Sequence, residues 1–255
     1  MQNRRKLFLV CCIFLIVICV GFIVGKIVSQ HDREQIYTEM QEDNELLEQE
    51  KENAEEDDTI EEVVEIPIDF ESLQKRNSDI YAWIQIPETK VDYPIVQHES
   101  DDSYYLDHTV EGKKGYPGSI YTELVNGKDF QDANTLIYGH NMKNGSMFGD
   151  LSLYKNSTYM KEHSQIVIYT TEHIYTYQVF AAVTYDNRHI MYAFDFSEEE
   201  GMEQFLHSLK TVRNMSSYID KSVEVTSSDR LIILSTCNGN NKQRFLVGAV
   251  LVDEQ

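Results

Sequence analysis

Cys237 is the residue whose setting points most directly to chemistry. The chain has four cysteines, and Cys11, Cys12 and Cys19 fall in the uncharged run 7–25, where a thiol acts as a small apolar group. Cys237 is alone in the remainder. With no partner there for a disulfide, such a thiol is either an inert core group or a nucleophile. Its flanks place it. Leu231-Ile232-Ile233-Leu234 runs up to Ser235-Thr236-Cys237, residues 238–243 form a polar turn, and Arg244-Phe245-Leu246-Val247 starts a return strand. A hairpin closed across that turn sets Cys237 opposite Arg244, with Cβ atoms about 5 Å apart on one face. A guanidinium there can donate to an oxyanion or a peptide carbonyl, and it favours thiolate over thiol. The alternative is an ordinary arginine at a strand end. Metal binding has little support, because the chain has no C-x-x-C or H-E-x-x-H and no further thiol outside the run.

The elements that must hold this hairpin are mostly strands. Residues 134–138, 165–170, 174–185, 223–226, 231–236 and 244–252 are rich in Ile, Val, Thr, Tyr and Phe. Tyr175, Tyr177, Val179, Ala181 and Val183 alternate with their neighbours, as a half-buried strand requires. Ser197-Glu198-Glu199-Glu200 reads as a capping box, followed by Met202, Phe205, Leu206, Leu209 and Val212 at helical spacing. That stripe reads as core packing. Asp69 is a candidate N-cap for a short helix burying Phe70 and Leu73, and a second short helix is predicted over 78–83. Many strands, few glycine turns and one inserted helix predict a closed or nearly closed β-barrel.

Around this domain the charge is uneven. The chain has 255 residues and a net charge of −21, which argues against nucleic acid as a partner. Residues 1–30 carry Arg4, Arg5, Lys6 and Lys26 and no acid. The run 7–25 makes a helix about 28 Å long, close to the hydrocarbon thickness of a bilayer. The basic cluster before it should stay in the cytoplasm, which sends the rest of the chain outside. Val28-Ser29-Gln30 is a poor cleavage site, so residues 1–30 read as an uncleaved, single-pass membrane anchor rather than a signal peptide. Residues 31–65 hold 16 acids against two bases and read as a self-repelling, solvated stalk, with Ile36, Met40 and Leu47 too sparse for a coiled coil. Residues 66–255 are long enough for one well-buried extracellular domain.

Two segments carry a family resemblance. Thr135-Leu136-Ile137-Tyr138-Gly139-His140-Asn141, continuing through Gly145-Ser146-Met147-Phe148, resembles the histidine motif of the sortases, and Leu234-Ser235-Thr236-Cys237 with Arg244 resembles their cysteine and arginine motif. The G-S-M-F continuation, the stretch from Asp79 through Gln97 and the helix before the cysteine strand are similar to class B in particular. The resemblance extends over nearly all of 69–252. It implies an eight-stranded β-barrel with N-terminal helices and one helix before the cysteine strand, carrying a cysteine transpeptidase outside a Gram-positive cell. It further implies Cys237 as nucleophile, His140 as general acid/base and Arg244 as binder of the sorting motif and oxyanion. Leu106, Tyr138 and Ser235 match groove-lining positions. The implied partners are secreted proteins with a C-terminal sorting signal and a cell-wall precursor amine, and the chemistry needs no cofactor or metal. Many class B members have a longer link between cysteine and arginine, and several have an acid where this chain has Asn238.

Two other enzyme readings keep the same residues. Water as acceptor would give a surface thiol endopeptidase, and a pilin lysine would give a pilin-polymerising sortase. A membrane-tethered binding module on a degenerate barrel is the non-enzymatic reading. The remaining histidines of 66–255, His98, His108, His163, His173, His189 and His207, read as surface or satisfied groups, and Asp101 and Asp102 as solvated.

Overall fold

The computed structural model describes residues 2–54, 65–212 and 217–255, with the side chains of 2–10 and 48–54 left aside. Eight strands close a mixed barrel. They are β1 (Ile80–Gln85), β2 (Asp92–Val96), β3 (Ile120–Tyr121), β4 (Asn134–Tyr138), β5 (Gln165–Thr170), β6 (Ile174–Asp186), β8 (Leu231–Cys237) and β9 (Gln243–Glu254), while β7 (Tyr218–Ile219) is a two-residue addition. The order β5-β1-β2-β3-β4-β8-β9-β6 returns to β5 through a β5–β6 pairing, and β7 lies outside on β6. Closure removes the free edges that an open sheet would present. The pairs β2–β3 and β4–β8 are parallel. The expected eight-stranded barrel is the observed one.

Burial explains where the expected alternation stops. Tyr175, Tyr177 and Val179 point inward with half-buried residues between them, but from Val179 to Tyr185 every side chain is buried. The second face there is covered by helices α4 (Ile190–Ala193) and α5 (Glu199–Lys210), which come after α3 (Ser157–Glu162) in the chain. Phe205 and Leu209 of α5 pack with Phe180, Val183 and Ile233 in a cluster outside the barrel, while Trp83, Tyr177, Phe245 and Val247 fill the inside. This two-sided burial is why Leu231–Leu234 reads as an unbroken apolar run. Phe205 is fully buried. Phe205→Ala is expected to cost about 3–5 kcal/mol, read as a lower urea midpoint with the slope unchanged.

Four expectations are corrected. Residues 78–83 are not helical: β1 is paired on both sides, with β2 and β5, and five successive buried residues mark a central strand rather than a helix face. Residues 223–226 form no strand; Thr226 is drawn into a turn by Asp229, whose Oδ2 accepts from its N–H and hydroxyl. The capping box does not form, because Asp195 Oδ1 takes the Ser197 N–H and hydroxyl and the helix begins one residue later, with Glu198 as N-cap. Asp69 does cap α2 (Phe70–Arg76), accepting from Ser72 N–H.

The fourth correction concerns the acidic stalk. Helix α1 (Gln2–Ala54) runs unbroken through residues 31–54 and seats Ile36, Tyr37 and Met40 against the barrel. A helix already nucleated by the apolar run extends at little cost through residues such as Glu, Gln, Met and Leu. Residues 55–64 of the predicted stalk lie outside the described residues.

Candidate active site

Strands β4 and β8 lie parallel and in register, Leu136 beside Ile233 and Tyr138 beside Ser235. Two residues beyond that last pair come His140 and Cys237, so one chain crossing carries both out of the same end of the barrel. The ends are fastened together: Gly139 N–H donates to Ser235 O at 3.2 Å, and Thr236 Oγ1 donates to Gly139 O at 2.7 Å. Gly139 must be glycine, since a Cβ there would meet Ile120 and Phe148 at 2.5–2.6 Å. Asn141 Nδ2 donates to Cys237 O at 2.6 Å and closes the crossing.

Cys237 is exposed and stands opposite Arg244 in the β8–β9 ladder, as the hairpin spacing predicts. The turn between them uses Gly239 at φ +85°, with Asn240 O accepting from Gln243 N–H. Arg244 Nη1 donates to Gln243 O at 3.1 Å, and the guanidinium makes no ion pair among the described residues. It is available to an incoming anion or carbonyl.

His140 is oriented by a contact no motif announces. Its Nε2 lies 2.7 Å from Leu106 O. A carbonyl only accepts, so Nε2 carries the proton in this contact and Nδ1 remains for proton transfer. The Tyr116 ring stands 4.8 Å from the imidazole.

A cavity of about 310 Å³ runs from these three residues along the barrel end. Leu106, Tyr138 and Ser235 line it, and so do Tyr121, Glu123 and His189. Leu106 is exposed, Tyr138 half-buried with its ring stacked on Tyr121 at 5.3 Å, and Ser235 buried. His189, expected as a surface or satisfied group, is satisfied at Nε2, which pairs with Glu123 Oε2 at 2.6 Å, and it also forms part of the wall; Tyr138 OH donates to the same oxygen at 3.3 Å. Asp102 also lines the cavity, with Oδ1 accepting from Leu124 N–H at 2.7 Å. Asp101 only caps its own turn at Ser103, and His98 accepts from Ser100 and Asp101 N–H while stacking on Tyr104.

Burial pushes the Glu123 carboxyl above the usual carboxylate range, opposed by the nearby His189 and reinforced by Asp102. Burial likewise raises Tyr121 and Tyr138, with the Glu123 charge adding and Arg244 opposing, which keeps both phenols neutral. Folded protein therefore holds the Glu123 proton more tightly than unfolded protein. The stability this contributes is present at low pH and is lost as pH rises through the raised value. Glu123→Gln removes that slope, so melting temperatures of variant minus parent should climb as pH rises above the ordinary carboxylate pKa.

Comparison with known proteins fits this geometry. The Sortase domain family model matches residues 84–252. Sortase B of Listeria monocytogenes is 34% identical over 191 residues, spanning 74% of this chain and 76% of the relative, and sortase B of Staphylococcus aureus is 31% identical over 186 residues, spanning 72% and 74%. Among solved structures, a Staphylococcus aureus sortase B–substrate complex superposes with a TM-score of 0.73 at 26% identity, covering 89% of this chain and 99% of that one. A B. anthracis sortase B in complex with AAEK1 superposes at 0.69 and 30% identity, covering 88% and 97%.

Proposed function

The chain belongs to the sortase family, class B, whose members are cysteine transpeptidases with a cell-wall role, and from that premise we propose that Cys237, His140 and Arg244 are its catalytic residues. The observation that carries this reading is the in-register β4–β8 pair, which brings His140 beside Cys237, with Arg244 opposite the thiol.

In the proposed reaction the Cys237 thiolate attacks the carbonyl of Thr in a sorting motif near the C-terminus of a secreted protein. A C–S bond forms and the carbonyl π electrons move to oxygen. The Arg244 guanidinium donates to this oxyanion, a contribution of about 3–4 kcal/mol for a well-placed donor. The C–N bond then breaks, and His140 passes a proton to the departing amine. A cell-wall precursor amine attacks the thioester, His140 takes its proton, and Cys237 leaves as thiolate. Leu106 O keeps the imidazole turned through both proton transfers by accepting from Nε2–H. Leu106, Tyr138 and Ser235 line the groove that takes the sorting motif.

We infer the location from the apolar stretch near the N-terminus. Helix α1 includes a stretch apolar and long enough to cross a membrane. We assign residues 1–30 as a single-pass anchor, 31–65 as the connection and 66–255 as the extracellular catalytic domain.

The test is intact mass of the detergent-solubilised chain after incubation with mixed sorting-signal peptides, with and without an amine. An acyl adduct on Cys237 that discharges to the amine is the expected result, and the peptide carried identifies the motif. Discharge to water alone would make the protein a thiol endopeptidase. Failure to load while Cys237 still alkylates would overturn the substrate class.

A further inference from the structure

We propose that Arg33 and Tyr37 of helix α1 are positioning residues for His140, so that the segment emerging from the membrane holds the catalytic imidazole in place. This rests on His140 being the acid/base of the proposed reaction. Both residues lie outside the stretch matched by the family model.

The link is the chain between residues 106 and 119, which leaves the groove and returns at β3. Three parts of it press on His140. Leu106 O accepts from Nε2, the Tyr116 ring stands 4.8 Å from the imidazole, and a Cβ at Gly118 would lie 3.1 Å from His140 Cδ2 and 2.7 Å from Leu106 O. The His108–Lys114 bridge, turn hydrogen bonds and Ser119 Oγ on His108 O tie the segment to itself, and the end of α2 holds its far part through Asn77 Nδ2 on Val110 O at 2.7 Å and Arg76 on Glu111 at 2.7 Å. The part nearest His140, residues 115–118, is covered by α1.

The Tyr37 hydroxyl both donates to and accepts from this segment. The O–H donates to Gly118 O at 2.5 Å, and the oxygen takes Val110 N–H at 3.0 Å and lies 3.0 Å from Ser119 Oγ. The side chain is buried. One turn earlier on the same helix face, Arg33 Nε donates to Tyr116 O, and its guanidinium packs so closely on Gly115 that a Cβ there would lie 2.9 Å from Cζ. Arg33 Nη1 also donates to Ser29 Oγ, which braces the guanidinium along the helix. The two grips flank the residues that touch the imidazole.

The position along α1 matters as well. Arg33 lies eight residues beyond Gly25, the last residue of the apolar run, which is about 12 Å along a straight helix. The strut is thus continuous with the apolar segment.

The full chain in detergent micelles, with Arg33→Ala, Tyr37→Phe and Arg33→Lys, tests this. Mixed sorting-signal peptides and intact mass give the loading rate of Cys237, iodoacetamide gives its intrinsic reactivity, and ¹⁵N spectra of the imidazole give the His140 tautomer. Misplacing a catalytic group by about 1 Å costs up to about 10²-fold, so Arg33→Ala and Tyr37→Phe should each lower the maximal loading rate roughly 10- to 100-fold. The half-saturating peptide concentration and the iodoacetamide rate should stay unchanged, the Nε2–H tautomer should lose population, and Arg33→Lys should recover part of the rate. Ile36→Ala loosens the same dock without a hydrogen bond to the segment. An equal loss in Ile36→Ala, or parental loading in Tyr37→Phe with an unshifted imidazole spectrum, would overturn the proposal. If the parent loads no peptide, the transpeptidase reading fails, and the imidazole spectra alone decide whether α1 positions His140.

Discussion

Cys237→Ala is expected to leave no acyl adduct under any peptide and to reduce cleavage to background, a loss of at least about 10⁴-fold, as removal of a nucleophile does elsewhere. No other group can take over. Cys11, Cys12 and Cys19 lie in the apolar run of α1, and Ser235 is a buried strand residue two positions from the thiol. Structure should be untouched, because Cys237 is exposed at the end of β8 and its backbone carbonyl, not its sulfur, accepts from Asn141. Stability within about 0.5 kcal/mol of the parent, together with lost loading, separates a missing nucleophile from a damaged barrel. Parental cleavage by Cys237→Ala would end the cysteine mechanism.

Arg244→Ala is expected to lower the rate of acyl-enzyme formation by about 10²–10³-fold, the cost of removing an oxyanion donor from a preorganised site. In the folded protein Arg244 holds only the neighbouring Gln243 carbonyl and faces Cys237 across the ladder, so little structure depends on it. Arg244→Lys keeps the charge but loses the planar pair of N–H groups, and should recover only a small part of the rate. Single-turnover loading followed by mass, at several peptide concentrations, distinguishes the two uses of the guanidinium. A lower maximal rate marks oxyanion stabilisation, while a higher half-saturating concentration marks peptide binding. Parental loading kinetics in Arg244→Ala would remove arginine from the mechanism.

Local patterns in the chain already contain most of the barrel and one half of the site. Strands β4, β5, β6, β8 and β9 are legible from their runs of β-branched, aromatic and other apolar residues. The Cys237–Arg244 opposition is legible too, since an antiparallel hairpin converts separation along the chain directly into position across it. Strands β2 and β3 escape notice: Asp92–Val96 contains Pro94, and Ile120–Tyr121 is only two residues long. The misreading of 78–83 has the same root. A strand buried on both faces shows no period, so nothing local separates it from a short core helix.

What only the tertiary structure decided is everything that depends on parallel pairing and on loops. His140 and Cys237 are 97 positions apart and meet because β4 and β8 run side by side, a relation with no local signature; the histidine could be named beforehand only through its motif. The Leu106 carbonyl on Nε2 is a backbone atom, to which side-chain identity gives no clue. Glu123 and His189 come from loops 66 positions apart, and each alone looks like a solvated surface group. The acidic stretch after the membrane run shows the same limit from the other side. Its charge count foretells repulsion, but Arg33 and Tyr37 find partners only after the barrel has folded, and hydrogen bonds to a surface that does not yet exist cannot be read from composition.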